Sequence, residues 1–248
     1  MASESLASRS ARAARIAKLL ARAYPEARCA LAHRNAFELL IATILSAQCT
    51  DAKVNEVTRV LFPKYPTPRA LAGAELADVE AIVRPTGFYR QKAKSIQAAA
   101  HGIVADFGGE VPRGLEQLVT LRGVARKTAN VVRGVAFGEP GLAIDTHMQR
   151  VNRRLGLVRG DDPEEIEREL AELLPPREWT AWTLRVIQHG RAVCDAKKPR
   201  CEACALASEC PSAGKLAASA ARPSAAQPAS KSRAARSQTR GSAARGGR

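Results

Sequence analysis

Apolar residues in this chain recur mostly at every third or fourth position, the spacing of one buried helix face. Ala13, Ile16, Leu19, Leu20 and Tyr24 form the first such run, with Arg12, Arg15, Lys18 and Arg22 largely opposite. Residues 1–10 are polar and are expected to fray, and Pro25 ends the helix. Asn35-Ala36-Phe37-Glu38 has the form of a capping box and opens a stripe of Phe37, Leu40, Ile41 and Ile44. That stripe stops near Ser46 to Asp51, where Asp51 is expected to cap a helix with Val54, Val57 and Leu61 inward. Thr67-Pro68 starts another helix, with Thr as cap and Pro at the first helical position. Its face begins at Leu71 and resumes after Gly73 with Leu76, Val79 and Ile82, until Pro85-Thr86-Gly87. Tyr89 to Phe107 repeats the pattern with Ala93, Ile96, Ala100 and Ile103, and Gly108-Gly109 closes it. Leu115 and Leu118 predict a short helix.

The next stretch, Leu121 to Arg150, organises the rest. A tight turn at Gly123-Val124-Ala125 precedes a helix from about Arg126, with Ala129, Val132, Val135 and Ala136 on one face. Lys127 falls in its first turn. A second turn at Gly138-Glu139-Pro140-Gly141 leads to Asp145-Thr146, where Asp145 caps a helix carrying Met148, Val151 and Leu155. Asp162-Pro163 opens a helix with Ile166, Leu170 and Leu173, and Trp179 to Val193 is the last long one. No sustained period-two alternation and no internal repeat occur, so the expected fold is all-α. From Ser212 onward Ala, Ser, Arg, Pro and Gly dominate, which predicts a disordered basic tail.

Charge narrows the partners. The 248 residues carry 39 Lys and Arg against 24 Asp and Glu, a net +15, and a chain of this balance attracts polyanions, nucleic acid first. Residues 212–248 hold eight Lys or Arg and no acid, so part of the excess belongs to the body of the chain. Hydrophobic residues make up 46 % but aromatics only 4 %, which predicts an aliphatic core. No apolar run approaches the ~20 residues of a membrane span. The first twenty residues lack the apolar centre of a secretion signal; their Arg, Ser and Ala content leaves organelle targeting open beside a cytoplasmic location.

Six cysteines are present, and four of them cluster. Cys194, Cys201, Cys204 and Cys210 follow the spacing C-x6-C-x2-C-x5-C, so four thiolates can wrap one metal centre. A zinc ribbon usually joins two C-x2-C knuckles. Only one occurs here and no His lies between the first and last of these cysteines, while all-thiolate ligation suits a [4Fe–4S] cluster. Zinc remains the competing reading. Lys197, Lys198 and Arg200 sit between the first two cysteines, either as phosphate contacts or as a solvated charge run. Cys29 and Cys49 are expected to be reduced thiols in or near the core.

Taken together, Leu121-Arg122-Gly123-Val124-Ala125-Arg126-Lys127-Thr128-Ala129, then Asp145-Thr146-His147, then the cysteine spacing, resemble the endonuclease III family of helix-hairpin-helix DNA glycosylases. The likeness extends over most of Tyr24 to Pro211. Two positions depart from the family pattern L-P-G-V-G-x-K-T-A: Arg122 replaces a proline and Ala125 a glycine. If position 125 needs a left-handed backbone, an alanine there costs about 1–2 kcal/mol.

The resemblance implies a six-helix barrel ending in the hairpin and a second domain around a [4Fe–4S] cluster, with DNA between them. The implied division is 1–28 with the cluster domain, 29–139 the barrel, 140–211 the cluster domain and 212–248 the tail. It also implies a monomer that acts on damaged or abasic double-stranded DNA. Lys127 is implied as the nucleophile and Asp145 as the carboxylate that activates it and supports the sugar cation. A lysine that attacks C1′ forms a Schiff base, which permits strand cleavage after base removal. Read alone, Lys127 is equally a phosphate contact and Asp145 a helix cap. Gln48 and Phe88 are implied as the residues that fill the gap left by an extruded base, although either position also suits an ordinary helix-end amide or core aromatic. The backbone of Gly123, Val124 and Ala125 is implied to hold phosphate. Oxidised pyrimidines are the expected substrate. Pyrimidine dimers, adenine mispairs and a non-catalytic DNA-binding role are the alternatives.

Overall fold

The structure, a computed structural model, describes residues 4–215; the proposed disordered tail lies outside them from residue 216 onward. The described residues form α-helices and short 3-10 turns, with no β-strand among them. No described helix is long and apolar enough to cross a membrane.

The first helix, α1, spans Leu6–Ala23 and begins earlier than the expected fraying of residues 1–10 allows. Ser5 accepts from the Ser8 amide at 3.2 Å, and Glu4 pairs with Arg12 at 2.7 Å, so the first turn is anchored at both ends. Next, α2 (Ala36–Leu45) is buried along almost all its length. Asn35 caps it at 2.9 Å, but the Glu38 carboxylate reaches the Arg34 amide, one residue before the position a capping box would use. For α3 (Asp51–Lys64) the cap is Thr50, not Asp51. Thr50 has the extended backbone of a cap and its hydroxyl accepts from the Lys53 amide, whereas Asp51 is already helical. Its carboxylate is thereby left for Arg191, 2.8 Å away on the last helix.

Beyond it come α4 (Pro68–Ala72), capped by Thr67, and α5 (Leu76–Val83). A 3-10 turn over Arg84–Thr86 leads into α6 (Tyr89–Asp106), followed by α7 (Leu115–Leu118) and α8 (Arg126–Phe137). Then come α9 (Thr146–Arg154), α10 (Pro163–Leu173) and α11 (Trp179–Ala192), with 3-10 turns at Cys201–Ala203 and Ala207–Glu209.

Two hydrophobic cores organise these helices. One is built around α2 and gathers apolar residues of α3, α4, α5, α6 and α8, from Leu31 to Val132. The other combines Ala13, Ile16 and Leu20 of α1 with residues 142–206, including Met148, Leu170, Trp182 and Val186. Ile16 and Leu20 are fully buried, and each contributes about 1.5–3 kcal/mol of transfer free energy. The N-terminal helix is therefore held by the far end of the chain rather than by its sequence neighbours.

The two cores meet where α8 ends and the chain turns back. Gly138, at φ 68°, closes α8, and the returning segment crosses that helix at Gly141. A Cβ on Gly141 would stand 2.3 Å from the Asn130 carbonyl oxygen, a backbone atom with nowhere to go. One residue later the Asn130 side-chain amide donates to the Leu142 carbonyl at 2.9 Å. Replacing Gly141 by Ala is expected to lower folding stability by about 1–3 kcal/mol through this overpacking. Urea denaturation measures it; an unchanged midpoint would show that the crossing is slack.

Candidate active site

Gly123 explains where the hairpin sits. Its φ is 82°, and a Cβ there would stand 2.9 Å from Ser95 Cβ of α6. The Val124 amide closes the turn on the Leu121 carbonyl at 3.0 Å, and both side chains are buried. Ala125 follows with φ −82° and caps α8 in extended geometry without a side-chain hydrogen bond. Gly123 and Ala125 are exposed, and the first turn of α8 contains no acid. Unsatisfied N–H groups and the positive end of the helix dipole therefore face solvent there, a setting that accepts an anion.

Lys127 is exposed one residue into α8. Asp145 caps α9, its Oδ1 accepting from the Met148 amide at 2.8 Å. The crossing at Gly141 brings the two to one cleft. Residues of both cores line it: Leu31 and Thr43 on one side, Thr183 and Ile187 on the other. The Asp51–Arg191 pair spans its wall. His147, two residues beyond Asp145, is held low by burial above all, against the opposing pull of the Asp145 carboxylate. Its Nδ1 lies 3.0 Å from the Arg150 guanidinium.

Gln48 and Phe88 do not line this cleft. They share a different property. Among the described residues they are the two non-glycine residues with positive φ, at 52° and 46°. Both are exposed, Phe88 by 71 %, so Phe88 is no core aromatic. A left-handed backbone outside glycine costs roughly 1–3 kcal/mol, and such residues cluster at functional sites.

The four clustered cysteines line a separate small pocket together with Val151, Leu155 and Arg154. All four are free thiols. Burial first, and then the charge of the neighbouring sulfurs, pushes Cys201, Cys204 and Cys210 up. The Arg154 guanidinium lies 3.3 Å from Cys194 Sγ. His189 lies 3.6 Å from Cys204 Sγ and 2.9 Å from the Tyr24 hydroxyl, and burial holds it neutral down to about 4. No three described His, Cys, Asp or Glu side chains converge as the ligands of a single metal ion would. Lys197 and Lys198 are exposed, their amides bound to Asp195 Oδ1 at 2.8 and 3.0 Å. The Arg200 side chain turns back onto the Ala192 carbonyl at the end of α11.

Helical periodicity overlooked Asp51, Thr183 and Arg191 as cleft residues, because in sequence they are a cap candidate and two ordinary members of an amphipathic helix. It also gave no reason to single out Lys92, a buried lysine behind the Phe88 turn.

Residues 41–176 match the HhH-GPD superfamily base excision DNA repair protein family. Endonuclease III of Synechocystis sp. is 50 % identical over 84 % of this chain and 95 % of its own length. Endonuclease III of Bacillus subtilis is 48 % identical over 75 % of this chain and 86 % of its own. The structure of a trapped endonuclease III–DNA covalent intermediate, an estranged-adenine complex, superposes with a TM-score of 0.79 at 45 % identity, covering 83 % of this chain and 97 % of that one. The chain belongs to the endonuclease III family.

Seen as an endonuclease III-family hairpin, the departure at Ala125 is harmless to the backbone. The left-handed residue is Gly123, while Ala125 is in a conformation open to any residue. Arg122, in place of the family's proline, is exposed and adds a positive charge beside the turn. A Gly123→Ala variant is expected to lose about 1–3 kcal/mol of stability from strain alone and to bind duplex DNA more weakly. Thermal melting and a fluorescence-anisotropy titration check the two effects; full binding by the variant would remove the turn from the DNA interface.

Proposed function

We propose that this chain is a bifunctional DNA glycosylase that removes an oxidised pyrimidine from duplex DNA and then cleaves the abasic site as a lyase. The observation that carries this reading is the shared cleft of Lys127 and Asp145, two helix starts brought together by the turn-back after α8.

In the proposed reaction the neutral Lys127 amine attacks C1′ of the damaged nucleotide. The C1′–N bond breaks, and the base leaves with its electron pair and takes up a proton. Asp145 engages the Met148 amide through Oδ1; its other oxygen, with no hydrogen bond among the described residues, serves the sugar cation and the lysine protons. Ring opening yields an imine between C1′ and Nζ. The imine acidifies the C2′ proton; loss of that proton to a base expels the 3′ phosphate, and water then releases Lys127. Lysine titrates near ~10.4 in water, so the amine must be deprotonated in the assembled site.

The exposed amides of Gly123 to Ala125 and the side chains of Lys197 and Lys198 hold backbone phosphates on either side of the cleft. Gln48 and Phe88 enter the duplex, where extrusion of a base costs a few kcal/mol. The two cores correspond to a barrel and a cluster-bearing lobe, and the enzyme acts as a monomer in the cytoplasm, on the nucleoid of a bacterial cell.

Cys194, Cys201, Cys204 and Cys210 hold one [4Fe–4S] cluster. Four cysteines without a C-x2-C partner knuckle suit a [4Fe–4S] group better than one zinc ion. Burial first, and neighbouring sulfur charge after it, raises Cys201, Cys204 and Cys210, and iron bound among them would supply the positive charge that thiolate ligands need. The cluster's part is to tie this loop to α9 and α11. Replacing Cys204 by Ser is expected to lower iron and sulfide below four per chain and to reduce the melting temperature. Full iron and sulfide in that variant would remove Cys204 from the ligand set.

Borohydride trapping tests the chemistry. Wild type is expected to form a covalent adduct with a duplex carrying one oxidised pyrimidine and with an abasic duplex, while Lys127→Ala forms neither and still binds. Wild-type binding without an adduct would overturn the lysine mechanism in favour of a binding role or a water-using glycosylase.

A further inference from the structure

Lys92 sits on the first turn of α6 and is only 5 % exposed. Its Nζ donates to the Thr86 carbonyl at 2.7 Å. Thr86 is itself buried, its hydroxyl donating to the Val83 carbonyl at 2.8 Å. Gly87 and Phe88 come next, both left-handed. On the far side, the Lys92 amide donates to the Phe88 carbonyl at 3.1 Å. One residue thus grips the turn twice: by its side chain before Gly87 and by its backbone after Phe88. Cys49, the neighbour of left-handed Gln48, is near enough that its thiolate would favour the Lys92 ammonium, although burial is the larger effect and opposes it.

A buried lysine is costly. Methionine would fill a similar path through the core without desolvating an amine. What lysine adds is one hydrogen bond to a carbonyl that the preceding 3-10 turn leaves beside a strained turn. A left-handed phenylalanine persists only where its surroundings over-determine it. Without the bond, the Gly87–Phe88 segment can relax to a right-handed backbone, and an aromatic side chain freed of that constraint packs onto the protein instead of standing 71 % exposed.

We propose that Lys92 is a positioning residue for base extrusion: its hydrogen bond to the Thr86 carbonyl holds the Gly87–Phe88 turn in the form that projects Phe88 into the duplex. This rests on the reading of Phe88 as the inserted residue. It assigns Lys92 a part in the approach to the reaction and none in the bond-breaking steps, which belong to Lys127.

The test compares wild type, Lys92→Met, Phe88→Ala and the double variant in two single-turnover assays. One follows excision of an oxidised pyrimidine from a duplex; the other follows strand cleavage at a preformed abasic site, where no base has to be extruded. Lys92→Met is expected to slow excision about tenfold and abasic cleavage by no more than about twofold. Phe88→Ala should show the same split, and the double variant should be no slower than Phe88→Ala alone, since both remove one function. Equal slowing of both assays by Lys92→Met, or effects that multiply in the double variant, would overturn the proposal. If Lys92→Met does not fold, Lys92→Leu, which also removes the donor, is read by the same split. Wild-type excision by Phe88→Ala would refute the wedge and this role together. An absence of excision by the wild type would instead refute the glycosylase reading itself.

Discussion

The arrangement depends on one close backbone crossing. Two helix starts can serve one cleft only if the chain between them doubles back at the right distance. Here α8 ends at left-handed Gly138, and the returning segment passes so near Asn130 that position 141 has no room for a side chain. The Asn130 amide then fixes the Leu142 carbonyl. From that point the chain enters the second core through Leu142 and Ile144, and Asp145 is delivered as the cap of α9. A looser crossing would leave both helices intact but let Lys127 and Asp145 drift relative to each other. Reactions that need aligned groups are sensitive to shifts of an ångström.

The second core is held at its edge by arginines acting over long sequence distances. Arg12 of α1 donates to the carbonyls of Leu155, Gly156 and Glu209, and Arg15 pairs with the Glu209 carboxylate at 2.8 Å. Arg154 binds the carbonyls of Asp195 and Ala196 at 2.6 and 2.8 Å. The cysteine loop has little secondary structure of its own, so these guanidinium bonds order its backbone from outside. Part of the excess positive charge is therefore used inside the fold, and a count of basic residues overstates what is free to meet a phosphate. Arg200, folded onto Ala192, is another instance.

Strain is concentrated where the structure reaches outward. Gln48 lies just after the central helix α2 and Phe88 just before α6, so each left-handed residue abuts an element of the first core. A rigid core behind each turn keeps it from relaxing. The hairpin glycine serves packing instead. Gly123 brings the backbone close to α6, and its positive φ is part of that approach.

Much of this could be read along the chain. Helical spacing located the described α-helices, since most bury one face and spacing reports burial directly; α2, buried on nearly every side, was marked by its cap and its apolar run. Thr67, Asn35, Asp145 and Asp162 were recognisable as caps because capping is a contact within three residues. The cysteine spacing was visible because four thiols stand at short separations, while Lys127 and Asp145 were singled out together only through the family resemblance. Thr50 in place of Asp51 as the cap of α3, and the early start of α1, were less legible: neighbouring residues competed for the same local role. Only the tertiary structure decided that Ala125 is unstrained and Gly123 is not, that Asp51 meets Arg191 across the cleft, and that a lysine is buried behind Phe88. These features rest on contacts between segments far apart in sequence or on a backbone angle set by packing. Neither leaves a periodic trace, because a side chain's type does not record which distant segment it will touch.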